Sequence, residues 1–492
     1  MPARCVRIYD LFFLRKTMFK VLVLLLSFHA LYAQELFEAD FLKKVATLRD
    51  KALTDSSAYD ITESLTTEVG ARLGGSAGDA LAVKWAVAKF NELGFDKVWT
   101  EPVTFPKWVR GVETAEIVSP FPHEIKITAL GGSLSTPRKG LKGEIVHFKT
   151  IEDLKNADDS LVKGKITFIS NRMVRYKNGK GYGMANGARY MAAKYTADKG
   201  GIGAIIRSIG TDSNRDPHTG GMKSVNFNQE TGEITLLKKG EVVPAGAISN
   251  PDADLLVNVL KRGKPVVFKY TLGSHWDGQY TSQNVIGEIT GSQKPEQVVI
   301  IGGHLDSWDL GTGAIDDASG CGITMAAAKL IKEAGINPRR TIRVVLWANE
   351  ENGLHGARAY GKAHADELHN HIIGAESDFG ASPIYQFKSN VSAQSLPAIT
   401  KMAELLAPIG VTYVGNNAKS GADISPLLKM GMATMQLSQD GSNYFDLHHT
   451  QDDTMDKIVP EEIAQNTAAW IVFVALAAQY EGDFGFELNK QP

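Results

Sequence analysis

The sequence predicts an α/β protein, with a mostly parallel β-sheet flanked by helices and a β-rich inserted domain. From about Ser282 onward, near-continuous apolar strands alternate with amphipathic helices, as in a parallel sheet covered on both faces. Between about Val118 and Tyr270, short β-rich runs such as KITFI alternate with glycine-rich turns. The length of 492 residues, 43% of them hydrophobic, suffices for two or three domains with cores of their own.

These patterns divide the chain into four predicted parts. Residues 1–33 form a signal peptide, residues 34–117 begin the main domain, residues 118–275 are the insert, and residues 276–492 complete the main domain. The first part of the main domain contains a helix with apolar residues at helical spacing, SAGDALAVKWAVAKFNELGFDKV, which ends at a glycine before a short strand.

The predicted elements of the insert and of the last part follow in order. The insert contains one helix-to-strand unit, GARYMAAKYTADKGGIGAIIRS, and closes with the strand, helix and strand of VVPAGAISNPDADLLVNVLKRGKPVVFKY. The last part begins with the strand QVVIIGGHLD and the helix SGCGITMAAAKLIKEAG. It continues with the strand TIRVVLWANEE, a helix near GARAYGKAHADEL and the strand HIIGAESD.

The N-terminus has the pattern of a secretory signal. The stretch MFKVLVLLLSFHALYAQE combines a positive start, an apolar core and an end that fits cleavage after Ala33. Its apolar core is too short for a transmembrane helix, and Met18 is an alternative start to Met1. We therefore expect a protein exported to the periplasm or secreted, with no membrane segment once the signal is removed.

Charge and cysteine content narrow the function classes. Removal of residues 1–33 takes away five basic residues and one acidic residue, so the net charge falls from −2 to −6. This balance gives no basic surface for nucleic acid. Cys5 lies in the predicted leader and only Cys321 remains, so the mature chain has no intramolecular disulfide. We expect Cys321 to be a small buried residue at a helix start rather than a nucleophile.

Acidic and imidazole side chains collect where the predicted strands end. In open α/β sheets the carboxyl ends of the strands form the usual site of chemistry. Basic partners are almost absent from these segments. The residues are His304, Asp306, Asp316, Asp317, Glu350, Glu351, Glu376, Asp378, His448, His449, Asp452 and Asp453.

Bound cations are the better explanation of this concentration of charge. Any single pair could be a solvated turn or, for Asp316 and Asp317, a helix cap. Four clusters at successive strand ends make that explanation improbable for all of them together. Imidazole and carboxylate without thiolate favour zinc, leave manganese or cobalt open, and disfavour calcium and magnesium. Such a donor set suits two metals that share a bridging carboxylate better than one closed structural site.

Four motifs in this order resemble those of metallopeptidase family M28, the co-catalytic zinc exopeptidases. They are GGHLDSWDLGTGAIDDASG, LWANEENGLHGA, ESDFG and HHTQDDT. The likeness extends to the N-terminal stretch EVGARLGGSAGDALAVKWAVAKFNELGFDKVWTEPVTFPKWVRG, and the insert is similar to the protease-associated domain of such enzymes. The resemblance implies a peptidase domain of zinc exopeptidase type over residues 34–117 and 276–492.

The resemblance also implies a role for each matched residue. Two Zn²⁺ ions per chain would be held, one by His304 and Asp378 and the other by Glu351 and His449, with Asp316 bridging both. Asp306 would orient the imidazole of His304.

Three further residues follow from the same family pattern. Glu350 would be the general base that takes a proton from a metal-activated water. The family places its histidine ligand directly before Thr or Ser, which favours His449 over His448. The peptide bond after Asp316 is commonly cis in this family, so Asp317 would serve geometry more than ligation.

The implied activity is hydrolysis of small unblocked peptides, in the manner of a dipeptidase or aminopeptidase, by a homodimer. Two alternatives stay open. One is another metal-dependent amidohydrolase of the same family, either an acidic-peptide carboxypeptidase or a glutaminyl cyclase-like enzyme. The other is an inactive receptor-like protein that binds peptides, although all five matched ligands and the base are present.

Overall fold

The computed structural model describes residues 36–228 and 233–485, which form two eight-stranded sheets and the helices that cover them. The predicted signal peptide, including Cys5, lies outside the described residues. None of the helices within those two ranges is long and apolar enough to cross a membrane.

Fourteen α-helices and eighteen strands are present in these ranges. The helices are α1 Ala39–Ala52, α2 Ser57–Glu68, α3 Ala77–Glu92, α4 Ile151–Asn156, α5 Asp159–Val162, α6 Lys180–Ala185, α7 Gly187–Asp198, α8 Asn250–Leu260, α9 Ser319–Glu333, α10 His355–Ala363, α11 Leu396–Leu406, α12 Ile424–Lys429, α13 Tyr444–Leu447 and α14 Pro460–Gln479. The strands are β1 Lys97–Val109, β2 Glu113–Ser119, β3 His123–Ile125, β4 Ile127–Ala129, β5 Leu141–Phe148, β6 Ile166–Ile169, β7 Gly203–Arg207, β8 Val225–Phe227, β9 Ile234–Leu236, β10 Ala245–Ile248, β11 Val267–Leu272, β12 His275–Ile289, β13 Lys294–His304, β14 Arg340–Trp347, β15 His371–Glu376, β16 Ile384–Asn390, β17 Thr412–Tyr413 and β18 Thr434–Gln439.

The first sheet has the strand order β1-β12-β14-β13-β15-β18-β16-β17. Its four central strands, from β14 to β18 in that order, are parallel, whereas β1 and β12 on one side and β16 on the other join antiparallel. The prediction of a mostly parallel sheet therefore holds for the four central strands, and the sheet as a whole is mixed. The apolar central strands are buried on both faces, which their sequence predicts, but apolar content does not reveal the direction of the outer strands.

Two long helices cover the central strands and form most of the core. Twelve of the fifteen residues of α9 are buried, and α14 is buried almost continuously from Ile463 to Ala478. Cys321 lies within α9, fully buried, and donates a hydrogen bond to the carbonyl oxygen of His304 (3.2 Å). This agrees with the expectation of a small buried residue at a helix start.

The second sheet is built from residues 113–272, in the order β3-β2-β11-β5-β6-β7-β10-β4. We call residues 113–272 the second part of the chain, and the first sheet with its helices the first part. Strands β5, β6, β7 and β10 are parallel, and β2 and β11 join them antiparallel. Helices α4 to α8 belong to this part, three of them six residues or shorter. The predicted boundary between residues 117 and 118 falls inside β2, and the four-part division of the chain stays a prediction.

Arg72, from the loop between α2 and α3, holds the segment that follows β13. Its fully buried guanidinium donates to the carbonyl oxygens of Leu305 (2.6 Å), Thr312 (2.5 Å) and Gly313 (2.9 Å). Buried carbonyl groups without a donor are costly, so this one side chain fixes the path of residues 305–313.

We expect Arg72→Lys to lower the free energy of unfolding by about 2–4 kcal/mol, because lysine cannot reach three carbonyl groups in one plane and leaves buried acceptors unpaired. Urea denaturation followed by circular dichroism measures the change. Arg172→Lys is the matched control, because Arg172 is half exposed in its ion pair with Asp254 and its replacement should cost less than about 1 kcal/mol. Equal costs for the two variants would contradict the role of Arg72.

Candidate metal centre

The predicted ligands meet because three neighbouring parallel strands end at the same edge of the first sheet. His304 is the last residue of β13 and pairs with Trp347, the last residue of β14. On the other side of β13, Gly302 pairs with Glu376, the last residue of β15. The segments that follow these strands carry Asp306, Glu350, Glu351 and Asp378 into one region.

The first donor group consists of His304, Asp316 and Asp378. The Nε2 atom of His304 lies 3.0 Å from Oδ1 of Asp316 and 3.7 Å from Oδ1 of Asp378. One donor atom from each residue lies within 4.8 Å of the others, close enough for a single cation to contact all three.

The second donor group lies around the other oxygen of Asp316. Nε2 of His449 is 3.2 Å from Oδ2 of Asp316 and 3.1 Å from Oε2 of Glu351. His448 lies in the same group, with its Nε2 3.6 Å from Oδ2 of Asp316 and its ring stacked on that of His449. Asp316 is thus common to both groups, with one oxygen toward each.

The two adjacent histidines differ in their contacts. His449 faces two carboxylates, whereas His448 faces one and its Nδ1 atom has no hydrogen-bond partner among the described residues. Burial lowers the pKa of His448 well below its ordinary value, and His449 lowers it further. These contacts favour His449 as the ligand, as the sequence predicts, and the assignment stays a prediction.

The donor atoms fit divalent cations such as zinc. Oδ2 of Asp316 and Oε1 of Glu351 are buried and accept no hydrogen bond from any described residue. Buried carboxylate oxygens without a donor are unfavourable unless a cation neutralises them. Imidazole nitrogen and carboxylate oxygen are both ordinary zinc ligands.

Asp306 contacts both His304 and the segment that carries the two glutamates. Nδ1 of His304 lies 3.0 Å from the main-chain oxygen of Asp306 and 3.6 Å from its Oδ1. The Asp306 carboxylate also accepts from the backbone N–H groups of Glu350 (2.9 Å) and Glu351 (3.4 Å). Beyond the predicted orientation of the imidazole, Asp306 therefore fixes the position of the two glutamates, which sequence reasoning missed.

Asp317 supports the centre through the backbone. Its carboxylate accepts from the N–H groups of His304 (3.1 Å) and Gly320 (3.1 Å), and the peptide bond between Asp316 and Asp317 is cis. Asp317 belongs to neither donor group. These contacts fit the predicted role in geometry rather than ligation.

The two adjacent glutamates reach one cleft because the chain turns after β14. Alternating residues of a strand point to opposite faces, but β14 ends at Trp347 and Asn349 has a left-handed backbone (φ 53°). Asparagine tolerates that conformation better than most residues. The carboxylate of Glu351 then contacts His449, and both Glu350 and Glu351 line the cavity in front of the centre.

Excess negative charge dominates the electrostatics of the centre. Burial raises the pKa of Glu350 well above its ordinary value; His304 opposes this rise, and Glu351 and Asp378 add to it. Burial likewise raises the pKa of Glu376 to about 8 and that of Asp453 to about 7. Burial alone would lower the pKa of His449, but Glu351 and Asp316 outweigh it and raise this pKa to about 9.

The cavity in front of the centre has a volume of about 730 Å³ and is lined by both parts of the chain. From the first part come Glu350, Asp378, Tyr444 and the other residues near the donor groups. Asp423, the residue directly before α12, is fully buried, with its backbone N–H 2.7 Å from Oε2 of Glu376.

Another group of cavity-lining residues belongs to the second part and was missed by sequence reasoning. It includes Tyr182, Arg189, Tyr190 and Met222. Arg189 is buried, its guanidinium lies over the ring of Tyr182 and donates to the Tyr182 hydroxyl, and its Nε and Nη1 atoms have no partner among the described residues. No motif marks Arg189, because its position in the cavity lining depends on which face of α7 meets the cavity.

Comparisons with known proteins find similar sequences. The model of peptidase family M28 matches residues 284–474. Carboxypeptidase Q of Xenopus laevis is 33% identical over 90% of both chains, and the human protein of that name is 31% identical over 90% of this chain and 89% of its own.

Solved structures give the same result. A peptidase M28 precursor from Shewanella amazonensis is 48% identical, with a TM-score of 0.85, over 90% of this chain and 98% of its own. A zinc aminopeptidase from Bacillus subtilis, at 19% identity and a TM-score of 0.62 over 88% of this chain and 98% of its own, shares the fold.

We expect the metal-free protein to lose stability as the pH rises from 6.5 to 9. Folded Glu376 and Asp453 keep protons that the unfolded chain has already released, and folded His449 keeps its proton up to about pH 9, so rising pH favours unfolding. Below pH 6.5 the lowered pKa of His448 acts in the opposite direction. Thermal unfolding in the presence of a chelator measures the trend.

The zinc-loaded protein is the control for this pH dependence. In it His449 is already deprotonated, and the nearby positive charge lowers the pKa of Glu376 and Asp453, so its midpoint of unfolding should stay level or rise over the same interval. A metal-free protein whose midpoint is constant or rises between pH 6.5 and 9 would contradict the charge assignment.

Proposed function

The chain belongs to peptidase family M28, and from that premise we propose that it is an exported zinc-dependent exopeptidase that hydrolyses small unblocked peptides. The observation that carries the proposal is the position of Asp316, whose two oxygens face two separate imidazoles beside Glu350 and a cavity of peptide size. We also infer that residues 118–275 are a protease-associated-like insert and that the protein is a homodimer.

Two zinc ions per chain fit the two donor groups. His304 and Asp378 would hold one, Glu351 and His449 the other, and Asp316 would bridge them. Zinc bound there would acidify a water molecule and polarise the scissile carbonyl group.

Glu350 is placed to move the proton. Its carboxylate lines the cavity next to both donor groups, and its pKa is raised by burial and by neighbouring carboxylates. A carboxylate of raised pKa accepts a proton from the attacking water and can deliver it to the leaving amine. Cations held at the donor groups would balance the negative charge that Glu350 carries before it accepts the proton.

Arg189 supports a substrate with a free carboxylate. Its Nε and Nη1 atoms are buried without a partner among the described residues, and Arg189 lines the same cavity as the carboxylates of the centre, so the cavity wall carries a positive charge beside the negative ones. A short peptide has the complementary charges, an amino group at one terminus and a carboxylate at the other. A charged hydrogen-bond donor left unpaired in a buried wall is favourable only when a ligand pairs with it.

Glu350→Gln should lower kcat at least about a hundredfold, because the amide cannot accept the proton of the attacking water. Its zinc content, measured by atomic absorption, should match that of the wild type. Glu351→Ala should instead lose zinc together with activity, because it removes a direct ligand.

A Glu350→Gln enzyme with the wild-type rate would contradict the assignment of the base. A Glu351→Ala protein that retains both zinc ions would contradict the assignment of the ligand, independently of activity.

Arg189→Met should lower kcat/KM for free dipeptides about 10- to 100-fold, because a charge-assisted hydrogen bond to the substrate carboxylate is lost. The rate on C-amidated peptides should not change. Arg358→Met is the matched control, because Arg358 lines the same cavity but stacks on Phe227, and it should leave the ratio of free to amidated substrates unaltered.

The same assay separates the alternative activities. It uses free dipeptides, N-blocked peptides, C-amidated peptides and glutamine-initiated peptides with zinc-loaded protein. Cleavage of N-blocked acidic peptides without action on free dipeptides would indicate an acidic-peptide carboxypeptidase. Cyclisation of glutamine-initiated peptides would indicate a glutaminyl cyclase-like enzyme, and binding without turnover would indicate a receptor-like protein.

A further inference from the structure

Residues 211–219 of the second part are hydrogen-bonded to residues 445–449, the segment that carries His449. The backbone N–H of Thr211 donates to the carbonyl oxygen of Phe445 (3.0 Å), and that of Thr219 donates to the carbonyl oxygen of His449 (3.0 Å). We call these two segments together the latch. It joins the second part of the chain directly to the candidate metal centre.

His218 is the buried side chain at the middle of the latch. Its Nδ1 lies 2.6 Å from the carbonyl oxygen of His448, and its Nε2 lies 2.8 Å from Oδ1 of Asp212. A carbonyl oxygen only accepts, so Nδ1 donates to the segment of the metal centre, while Nε2 contacts a carboxylate in the second part. Asp212 is held in turn by the backbone N–H of Asn214 (2.8 Å) and the side chain of Asn250 (3.2 Å).

The latch determines which nitrogen of His449 faces the carboxylates. Nδ1 of His449 lies 3.3 Å from the carbonyl oxygen of Thr219, so it donates a hydrogen bond and leaves Nε2 toward Asp316 and Glu351. His449 also has a left-handed backbone (φ 63°), a conformation that persists only where the surroundings impose it. The hydrogen bond from His218 to the carbonyl group of His448 is one of the contacts that impose it.

Only glycine fits at position 220, because a side chain there would collide with two neighbouring side chains. A Cβ atom on Gly220, whose φ is 128°, would lie 2.4 Å from Nη1 of Arg189 and 2.8 Å from Nδ1 of His449. The backbone at Gly220 thus lies directly against the imidazole of His449, so a shift of this backbone displaces the imidazole.

We propose that His218 is a positioning residue of the metal centre: through its Nδ1 donation to the carbonyl group of His448 it fixes the backbone and the imidazole of His449. The second part of the chain therefore supplies an element of the metal centre as well as one wall of the cavity. This inference rests on the proposed role of His449 as a ligand.

Amide side chains can separate the two hydrogen bonds of His218. The amide nitrogen of asparagine lies about where Nδ1 of histidine lies, whereas that of glutamine lies about where Nε2 lies. His218→Asn should therefore keep the bond to His448, and His218→Gln should keep only the bond to Asp212. His371→Asn is the matched control, because His371 is equally buried and hydrogen-bonded to Tyr360, but at the opposite end of β15.

The test measures zinc affinity by competition with a chelator, and the visible absorption spectrum after cobalt substitution, with kcat and KM as further readouts. His218→Ala and His218→Gln should bind one of the two metals about 10- to 100-fold more weakly and show an altered cobalt spectrum and a lower kcat. His218→Asn should recover most of both properties. His371→Asn should change the unfolding temperature but neither the zinc affinity nor the spectrum.

Wild-type zinc affinity and cobalt spectrum in His218→Ala would overturn the inference, and so would recovery by glutamine rather than asparagine. Wild-type protein that binds no zinc or cobalt would instead refute the proposed metal centre itself, so the two failures are distinguishable.

Discussion

The structure around the cleft depends on one electrostatic constraint, the burial of many carboxylates at a single sheet edge. Asp316 lies between two imidazoles, and Glu350, Glu351 and Asp378 surround them. Burial and mutual repulsion raise the pKa of most of these groups, so the protein alone does not neutralise them. Divalent cations would remove the conflict, and the same charge that makes them necessary would give the site its affinity for them.

Much of the surrounding structure serves to hold this cluster in place. The guanidinium of Arg72 fixes the loop between His304 and Asp316 from behind, and Asp306 and Asp317 fix the backbone of the ligand-bearing segments. These contacts are hydrogen bonds to the main chain, so they set positions without occupying the oxygens that face the cavity. A site of this kind is preorganised, which matters because small displacements of catalytic groups cost much of the rate.

The second part of the chain also contacts the centre directly. It provides Arg189 in the lining of the cavity, and its residues 211–219 contact the segment of His449. A cavity between two parts of a chain is a common place for a small ligand, because each part can contribute a different chemistry. Here the first part contributes carboxylates and imidazoles, and the second contributes the guanidinium of Arg189 and a rigid support.

The sequence by itself determined the family, the central strands and the residues that gather at their ends, because short motifs follow apolar strands in a fixed order and parallel strands end at one edge. It also indicated the chemistry, since carboxylate and imidazole without basic partners require a cation. Only the tertiary structure decided the antiparallel outer strands, the contacts of Asp306 and Arg72, and the positions of Arg189 and His218. These features join residues separated by up to 241 positions along the chain, and no local periodicity records such contacts.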